Sequence, residues 1–161
     1  MTTATAQQVV TFRVGDDHFA ADILNVERVL PYAPPTPVPN VPAWMDGVIE
    51  YGSRVVPVID LRRRFGFDVA GRPAGGGRII VFAVADEWVG AIVDAVLEVM
   101  TLDPARVAPP PALFRGLRAE YLRGLVRRDG RLTILLEIQR LLTATEQLEL
   151  RQAALGERAD G

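Results

Sequence analysis

The chain contains no cysteine and no lysine, one histidine (His18) and one serine (Ser53). Without cysteine it has neither disulfides nor thiolate metal ligands. His18 sits on a strand beside a turn, the ordinary place for a surface or hydrogen-bonded histidine rather than a base or ligand. Ser53 falls in a hairpin turn, not in a nucleophile elbow. Asp60, Asp94, Glu98 and Glu137 form no carboxylate cluster in the sequence. They read as solvated strand faces or as partners of neighbouring arginines. Neither catalysis, a metal nor a cofactor is expected. All 18 basic residues are arginine, whose planar fork suits carboxylate contacts across an interface. The formal net charge of −2 argues against a broad nucleic-acid footprint. No apolar run approaches the ~20 residues that span a bilayer, so no membrane insertion is expected. Residues 1–8 lack the basic and apolar regions of a secretion signal, which makes a cytoplasmic location the expectation.

What the chain does have is a duplicated hairpin. In residues 47–61 two apolar runs flank Gly52-Ser53, and glycine supplies the positive φ of a tight hairpin turn. Val55 to Ile59 is apolar on both faces and reads as a buried strand. Pro57 must turn its amide-less side to an edge or bulge. Residues 60–66 read as one helical turn closed by glycine. Residues 124–138 repeat this layout. Gly47 lies over Gly124, Arg54 over Arg131, Val58 over Leu135, Asp60 over Glu137 and Leu61 over Ile138, each pair 77 positions apart. A second repeat runs at 70 positions. Phe12, Val14, Asp17, Ala21, Ile23, Val26 and Val29 lie over Phe82, Val84, Glu87, Ala91, Val93, Val96 and Val99. Two segments repeated in the same order indicate two related halves.

In chain order, residues 9–14 and 18–23 read as a strand pair turning at Gly15-Asp16-Asp17. Residues 22–29 read as a strand running into a short helix or a twisted strand. Six prolines between 31 and 42 impose an extended connector. Trp44 reads as a plug of the core. The Gly/Pro-rich stretch 68–77 is the best internal boundary; its triple glycine precedes a strand and so is not a phosphate loop. Residues 78–84 and 88–100 follow as strands, the second long and continuous, with Val89, Ala91, Val93, Ala95, Leu97 and Val99 on one face. Residues 101–120 are an irregular passage. Thr143 to Glu146 is a capping-box pattern opening a C-terminal helix over 143–156, with polar, disordered tails at 1–8 and 157–161. About ten short strands and few helices give a mainly β fold, two small barrels or a split sandwich.

The motifs resemble the CheW-like family. The resemblance runs through Phe12 to Ile23, Val26-Glu27-Arg28-Val29, and Val38-Pro39-Asn40-Val41-Pro42-Ala43-Trp44-Met45-Asp46-Gly47-Val48-Ile49. It continues through Val55-Val56-Pro57-Val58-Ile59-Asp60-Leu61-Arg62, the most specific motif, then Val89 to Val99 and Leu132 to Leu142. It implies two SH3-like five-stranded β-barrels, internally duplicated, with short helices. The first would cover about 9–70 and the second about 78–138, with strand exchange between them left open. It also implies a non-enzymatic adaptor that couples the cytoplasmic tip of methyl-accepting chemoreceptors to the regulatory domain of the histidine kinase CheA and supports array assembly. Carried over by position, the kinase side comprises Asn40, Trp44, Asp46 and Gly47. The receptor side comprises Val26, Arg28, Val29, Tyr51, Gly52, Arg54, Trp88 and Val89. Where the family usually reads Gly-Val-Ile-Asn-Leu-Arg-Gly, this chain reads Gly47-Val48-Ile49-Glu50-Tyr51-Gly52-Ser53. Gly52 replaces the familiar arginine, and Arg28 stands where an acid is common. Two other readings follow: a family member that binds one partner only and modulates or competes with an ordinary adaptor, or a β-barrel small-molecule sensor using the cleft between the halves.

Overall fold

The computed structural model of the chain describes residues 7–66, 76–114 and 117–142. Residues 68–75 of the expected 68–77 boundary, the helix expected over 143–156, and residues 1–6 and 157–161 of the expected tails lie outside the described residues; Gln7 and Gln8, expected in the disordered tail over 1–8, instead open β1, paired with Leu102 and Thr101. The strands are β1 (Gln7–Val14), β2 (Asp17–Asp22), β3 (Val26–Pro31), β4 (Met45–Tyr51), β5 (Arg54–Asp60), β6 (Arg78–Val84), β7 (Glu87–Val93), β8 (Ala95–Leu102), β9 (Leu113–Phe114), β10 (Leu117–Arg118), β11 (Leu122–Arg128) and β12 (Arg131–Leu136). One helical turn, α1 (Leu61–Arg64), follows β5, and residues 138–142 are helical after β12. β9 and β10 pair only with each other. The rest form two five-stranded sheets, ordered β11-β12-β2-β1-β8 (sheet A) and β3-β6-β7-β5-β4 (sheet B).

The hairpins follow from their turn residues. Gly52 and Ser53 (φ 56° and 65°) and Asp129 and Gly130 (φ 53° and 72°) are both left-handed pairs. That geometry matches the right-handed twist of the flanking strands. Pro57 sits opposite Val48, and parallel pairing of β5 with β7 begins only at Val58, so the missing amide costs the second ladder nothing.

Sheet membership does not follow the division at 9–70 and 78–138. Sheet A takes β1 and β2 from the first half and β8, β11 and β12 from the second. Sheet B takes β3 to β5 and then β6 and β7. The chain changes sheet twice, at the 3-10 turn Ile23–Asn25 and at Asp94. The second change breaks the long strand expected over 88–100. Asp94 is buried; its carboxylate accepts from the Gly15 amide at 2.6 Å, and its own amide donates to the Arg13 carbonyl at 2.9 Å. Those contacts to the β1–β2 turn, 79 residues away, pull the chain out of sheet B. The 22–29 stretch resolves into the end of β2, the 3-10 turn and β3.

Strand alternation then sorts the core into three clusters. Val9, Ala20, Leu102, Val126 and Leu135, one from each strand of sheet A, meet inside that sheet as it curls. Val58, Ile79 and Ile92, with Leu30 and Ile49 packed against them, do the same in sheet B. The alternate residues of the same strands, among them Phe12, Phe19, Ile59, Ile80, Phe82, Ile134 and Leu136, point the other way and join in one large core between the sheets. Phe65, just after α1, packs on Phe19 of sheet A, with ring centroids 4.8 Å apart. Each such side chain contributes roughly 1.5–3 kcal/mol by burial.

The equivalent glycines mark where each sheet closes on itself. After β3, Thr36 bridges to Val48, exchanging hydrogen bonds of 2.8 and 2.9 Å. After β8, Ala108 bridges to Leu125 in the same way, at 2.8 and 2.9 Å. Gly47 (φ 149°) faces the Thr36 carbonyl and Gly124 faces Ala108 so closely that neither has room for a Cβ; at Gly124 it would fall 2.6 Å from the Ala108 carbonyl oxygen and also strike Val107. The replacement Gly124→Ala is expected to cost about 1–3 kcal/mol, read by denaturant unfolding. Adding Val107→Ala should recover only part of the loss, because the Ala108 carbonyl remains.

Candidate functional site

The motif ending in Asp60-Leu61-Arg62 builds a buried ion pair at the end of β5. Asp60 caps α1 by accepting from the Arg62 amide at 3.0 Å. The same carboxylate takes both arms of the Arg62 guanidinium, Nε at 3.1 Å and Nη2 at 3.0 Å. Arg62 is 5% exposed and Asp60 2%. The bond to Asp60, assisted by the charges of Asp60 and Asp94, holds the guanidinium protonated against the cost of its burial. Asp60 is therefore the partner of a neighbouring arginine, as expected, but buried with it, and Asp94 is buried rather than on a solvated strand face. Glu137 and Glu98 do pair with arginines at the surface, Arg123 at 3.8 Å and Arg128 at 3.1 Å.

This pair organises the surface around the expected kinase side. The Asp60 amide donates to the Trp44 carbonyl at 2.7 Å, and Arg63 reaches the Ala43 carbonyl at 3.3 Å. Trp44 is half-buried against the large core, as a plug would be, with the Arg64 guanidinium 6.0 Å from its ring centre. The same guanidinium lies 5.6 Å from the ring centre of Tyr121. Asp46 is half-buried; desolvation, then the Asp60 charge, raises its pKa above the ordinary carboxylate value, against the pull of Arg63 and Arg62. Asn40 is exposed, with a left-handed φ of 61°. Gly47 is buried at the sheet closure, so it serves this surface from within. Arg63 and Arg64 of the basic turn belong to the surface, with Arg62 buried beneath them, but they were absent from the expected set. Their signal was three consecutive arginines behind a capping aspartate.

On the expected receptor side, Tyr51, Gly52, Arg54 and Trp88 come together. Tyr51 pairs directly with Arg54 across the β4–β5 turn, and the one register shift in that hairpin lies between Met45 and Gly47. Both side chains therefore leave the same face. Arg54 stacks on the Trp88 ring at 4.1 Å and pairs with Glu87 at 3.6 Å, and Tyr51 lies 5.0 Å from Trp88. Gly52 lies against the indole, where a Cβ would sit 3.3 Å from the ring. Arg28 faces Val81 across the β3–β6 ladder, and by alternation it shares the inner side of sheet B with Trp88. Val26 and Val29 turn to the opposite side of β3: Val26 packs on the large core, and Val29 is 38% exposed. Val89 is buried in that core; no partner reaches it, and it leaves the receptor-facing set. The space between the halves is a packed apolar core rather than an open cleft for a small molecule. No group of His, Cys, Asp or Glu among the described residues has a metal-binding arrangement, and no described helix is long and apolar enough to cross a membrane.

A family model described as CheW-like domain matches residues 8–146. A protein of Rhizobium etli named "Probable chemotaxis protein CheW" is 34% identical over 140 residues, covering 87% of this chain and 90% of that protein. The "Chemotaxis protein CheW" of Treponema pallidum is 30% identical over 146 residues, 89% and 86% of the two chains. Among solved structures, the scaffolding protein TtCheW from Thermoanaerobacter tengcongensis matches with a TM-score of 0.77 and 28% identity, over 86% of this chain and 89% of that one.

Two substitutions test the electrostatics. Asp60→Asn leaves Arg62 buried without its charge partner and is expected to cost about 3–5 kcal/mol. Asp46 behaves oppositely. Its folded pKa is raised, so its ionisation destabilises the fold, beginning as pH climbs past the ordinary carboxylate value and complete above the folded pKa. Asp46→Asn should therefore raise the melting temperature at pH 7, with the gain shrinking towards pH 4.

Proposed function

The chain belongs to the CheW-like domain family, and from that premise we propose that it is a cytoplasmic, non-enzymatic scaffold that couples chemoreceptor tips to the histidine kinase CheA within a chemosensory array. The observation that carries this reading is the Tyr51–Arg54–Trp88 stack. The family's usual hairpin arginine is Gly52 here, which would leave the receptor side without its cation. Arg54, two residues on, supplies a guanidinium on the same hairpin tip, held in place by the indole beneath it and by Glu87. A cation fixed over an aromatic ring loses little side-chain entropy on binding and suits a helical partner with exposed carboxylates.

The kinase side is the surface of Asn40, Trp44, Asp46, Arg63 and Arg64. It is built from the connector, the start of β4 and α1, whereas the receptor side is built from hairpin tips. A half-buried tryptophan with a guanidinium 6.0 Å from its ring centre has the make-up of an interface hot spot.

Titration of the full chain against a receptor-tip fragment and, separately, against the regulatory domain of CheA tests the proposal. Binding to both partners is expected. Trp88→Ala should weaken the receptor tip by about 2 kcal/mol or more, the range of an interface anchor, while changing kinase affinity little. Trp44→Ala should do the reverse. Binding to the kinase alone would make the chain a one-partner modulator, and binding to neither would overturn the function.

A further inference from the structure

The repeat equates each strand position of sheet A with one of sheet B, and the two ladders agree in register. Leu135 pairs with Ala20 as Val58 pairs with Gly90, and Thr11 with Glu98 as Val81 with Arg28. Equivalent residues can therefore be compared at the open end of each curled sheet. In sheet B that end is plugged by Trp88, with Arg54 and Tyr51 upon it. The equivalent positions of sheet A carry His18, Arg131 and Arg128. An imidazole fills far less space than an indole, and the end of sheet A holds a cavity of about 390 Å³ lined by Thr11, His18, Glu98, Met100, Arg131 and Thr133.

The polar groups of this cup are unevenly committed. Arg131 Nη1 lies 2.8 Å from His18 Nε2. A guanidinium can only donate, so Nε2 accepts and the ring proton sits on Nδ1. Burial, followed by the charges of Arg131 and Arg13, lowers the pKa of His18 against the smaller pull of Asp17, keeping the ring neutral. The Thr11 hydroxyl is used twice, with the Glu98 carbonyl at 3.1 Å and the Glu98 amide at 3.2 Å. The cup also holds two carboxylates, Glu98 and Asp129, and Arg128 pairs with both, at 3.1 and 3.9 Å. Thr133 is 8% exposed, and its hydroxyl has no hydrogen-bond partner among the described residues. A buried hydroxyl left without a partner is costly and calls for an occupant. What remains uncommitted is donor-rich: the other N–H groups of Arg131, the His18 Nδ1–H and the Thr133 hydroxyl, beside the apolar side chains of Leu97 and Met100, the sulfur of the latter accepting from Arg128 at 3.0 Å.

We propose that the open end of sheet A is a binding site for a small organic carboxylate, held by Arg131 and Thr133 with its short carbon chain against Met100. The volume lies in the range of small-ligand sites, which occur in the mouths of β-barrels. The donor set matches an anion that accepts several hydrogen bonds at once. The site lies on the other sheet from the Trp88 surface, so occupancy there offers the scaffold an input separate from its receptor side.

The test is an amide and imidazole nitrogen NMR titration of the full chain with sodium succinate and sodium propionate, alongside sodium phosphate and sodium chloride at matched ionic strength. Saturable shifts at Thr11, His18, Arg131 and Thr133 with the carboxylates, and none at Tyr51, Arg54 or Trp88, are expected. Arg131→Gln should weaken binding about tenfold or more, the worth of one charge-assisted hydrogen bond. His18→Trp, which copies the plug of sheet B, should abolish it. If that variant does not fold, Thr133→Val serves in its place and should also weaken binding. Shifts that rise linearly without saturation, that saturate with phosphate instead of carboxylates, or that survive both Arg131→Gln and Thr133→Val would overturn the assignment.

Discussion

The central strands of this protein have two apolar faces, so neither sheet can stand alone. β1, β2, β6 and β7 each bury one face inside their own curled sheet and the other in the core shared between the sheets. A five-stranded sheet with an uncovered outer face of phenylalanine, isoleucine and valine would aggregate. Docking the two sheets through those faces removes that surface, and exchanging segments between them makes the docking permanent. The helical turns after β5 and β12 reinforce it. Phe65 crosses to Phe19, and Gln139 reaches Asn25 at 3.0 Å and the Ala83 carbonyl at 3.1 Å. The consequence for function is a rigid body with two surfaces at fixed positions, which is what a scaffold requires.

Charge is arranged around that core in two ways. Buried charge is structural: Asp60 and Arg62 satisfy one another, and Asp94 fastens a crossover. Surface charge is positioned on aromatic supports, Arg54 on Trp88 and Arg64 beside Trp44 and Tyr121. An all-arginine cation set serves both uses, because the guanidinium forks onto carboxylates and stacks on rings, as an ammonium does not.

Much of this was legible in the sequence because it is local. The Gly52-Ser53 and Asp129-Gly130 turns, the equivalence of Gly47 with Gly124 and the pairing of Asp60 with Arg62 follow from short-range chemistry and the repeat, whereas Glu98 and Glu137 find their arginines across strands. The crossovers were not legible. Alternation runs unbroken through Asp94, and the contact that breaks the strand there comes from the distant β1–β2 turn. Alternation put Val89 on the apolar face with Ala91 and Val93, opposite Trp88, and the packing agrees, burying Val89 in the core and leaving Trp88 half-buried; the positional carry-over from the family had grouped the two together. The burial of Asp60 likewise depends on its ladder with Ile92 of β7 and on its bond to the Trp44 carbonyl, neither of them in its own segment. The family motifs carried the adaptor reading further than composition could, while the displaced hairpin cation needed the register of β4 and β5 to be understood.

The account rests on two interaction surfaces that one rigid body presents at once. Adding the regulatory domain of CheA to the chain already saturated with receptor tip, and following the assembly by analytical ultracentrifugation, tests that most directly. A ternary complex, with kinase affinity within about twofold of that of the free chain, is the predicted result. Displacement of the receptor tip by the kinase domain would contradict it, because the two surfaces would then be one.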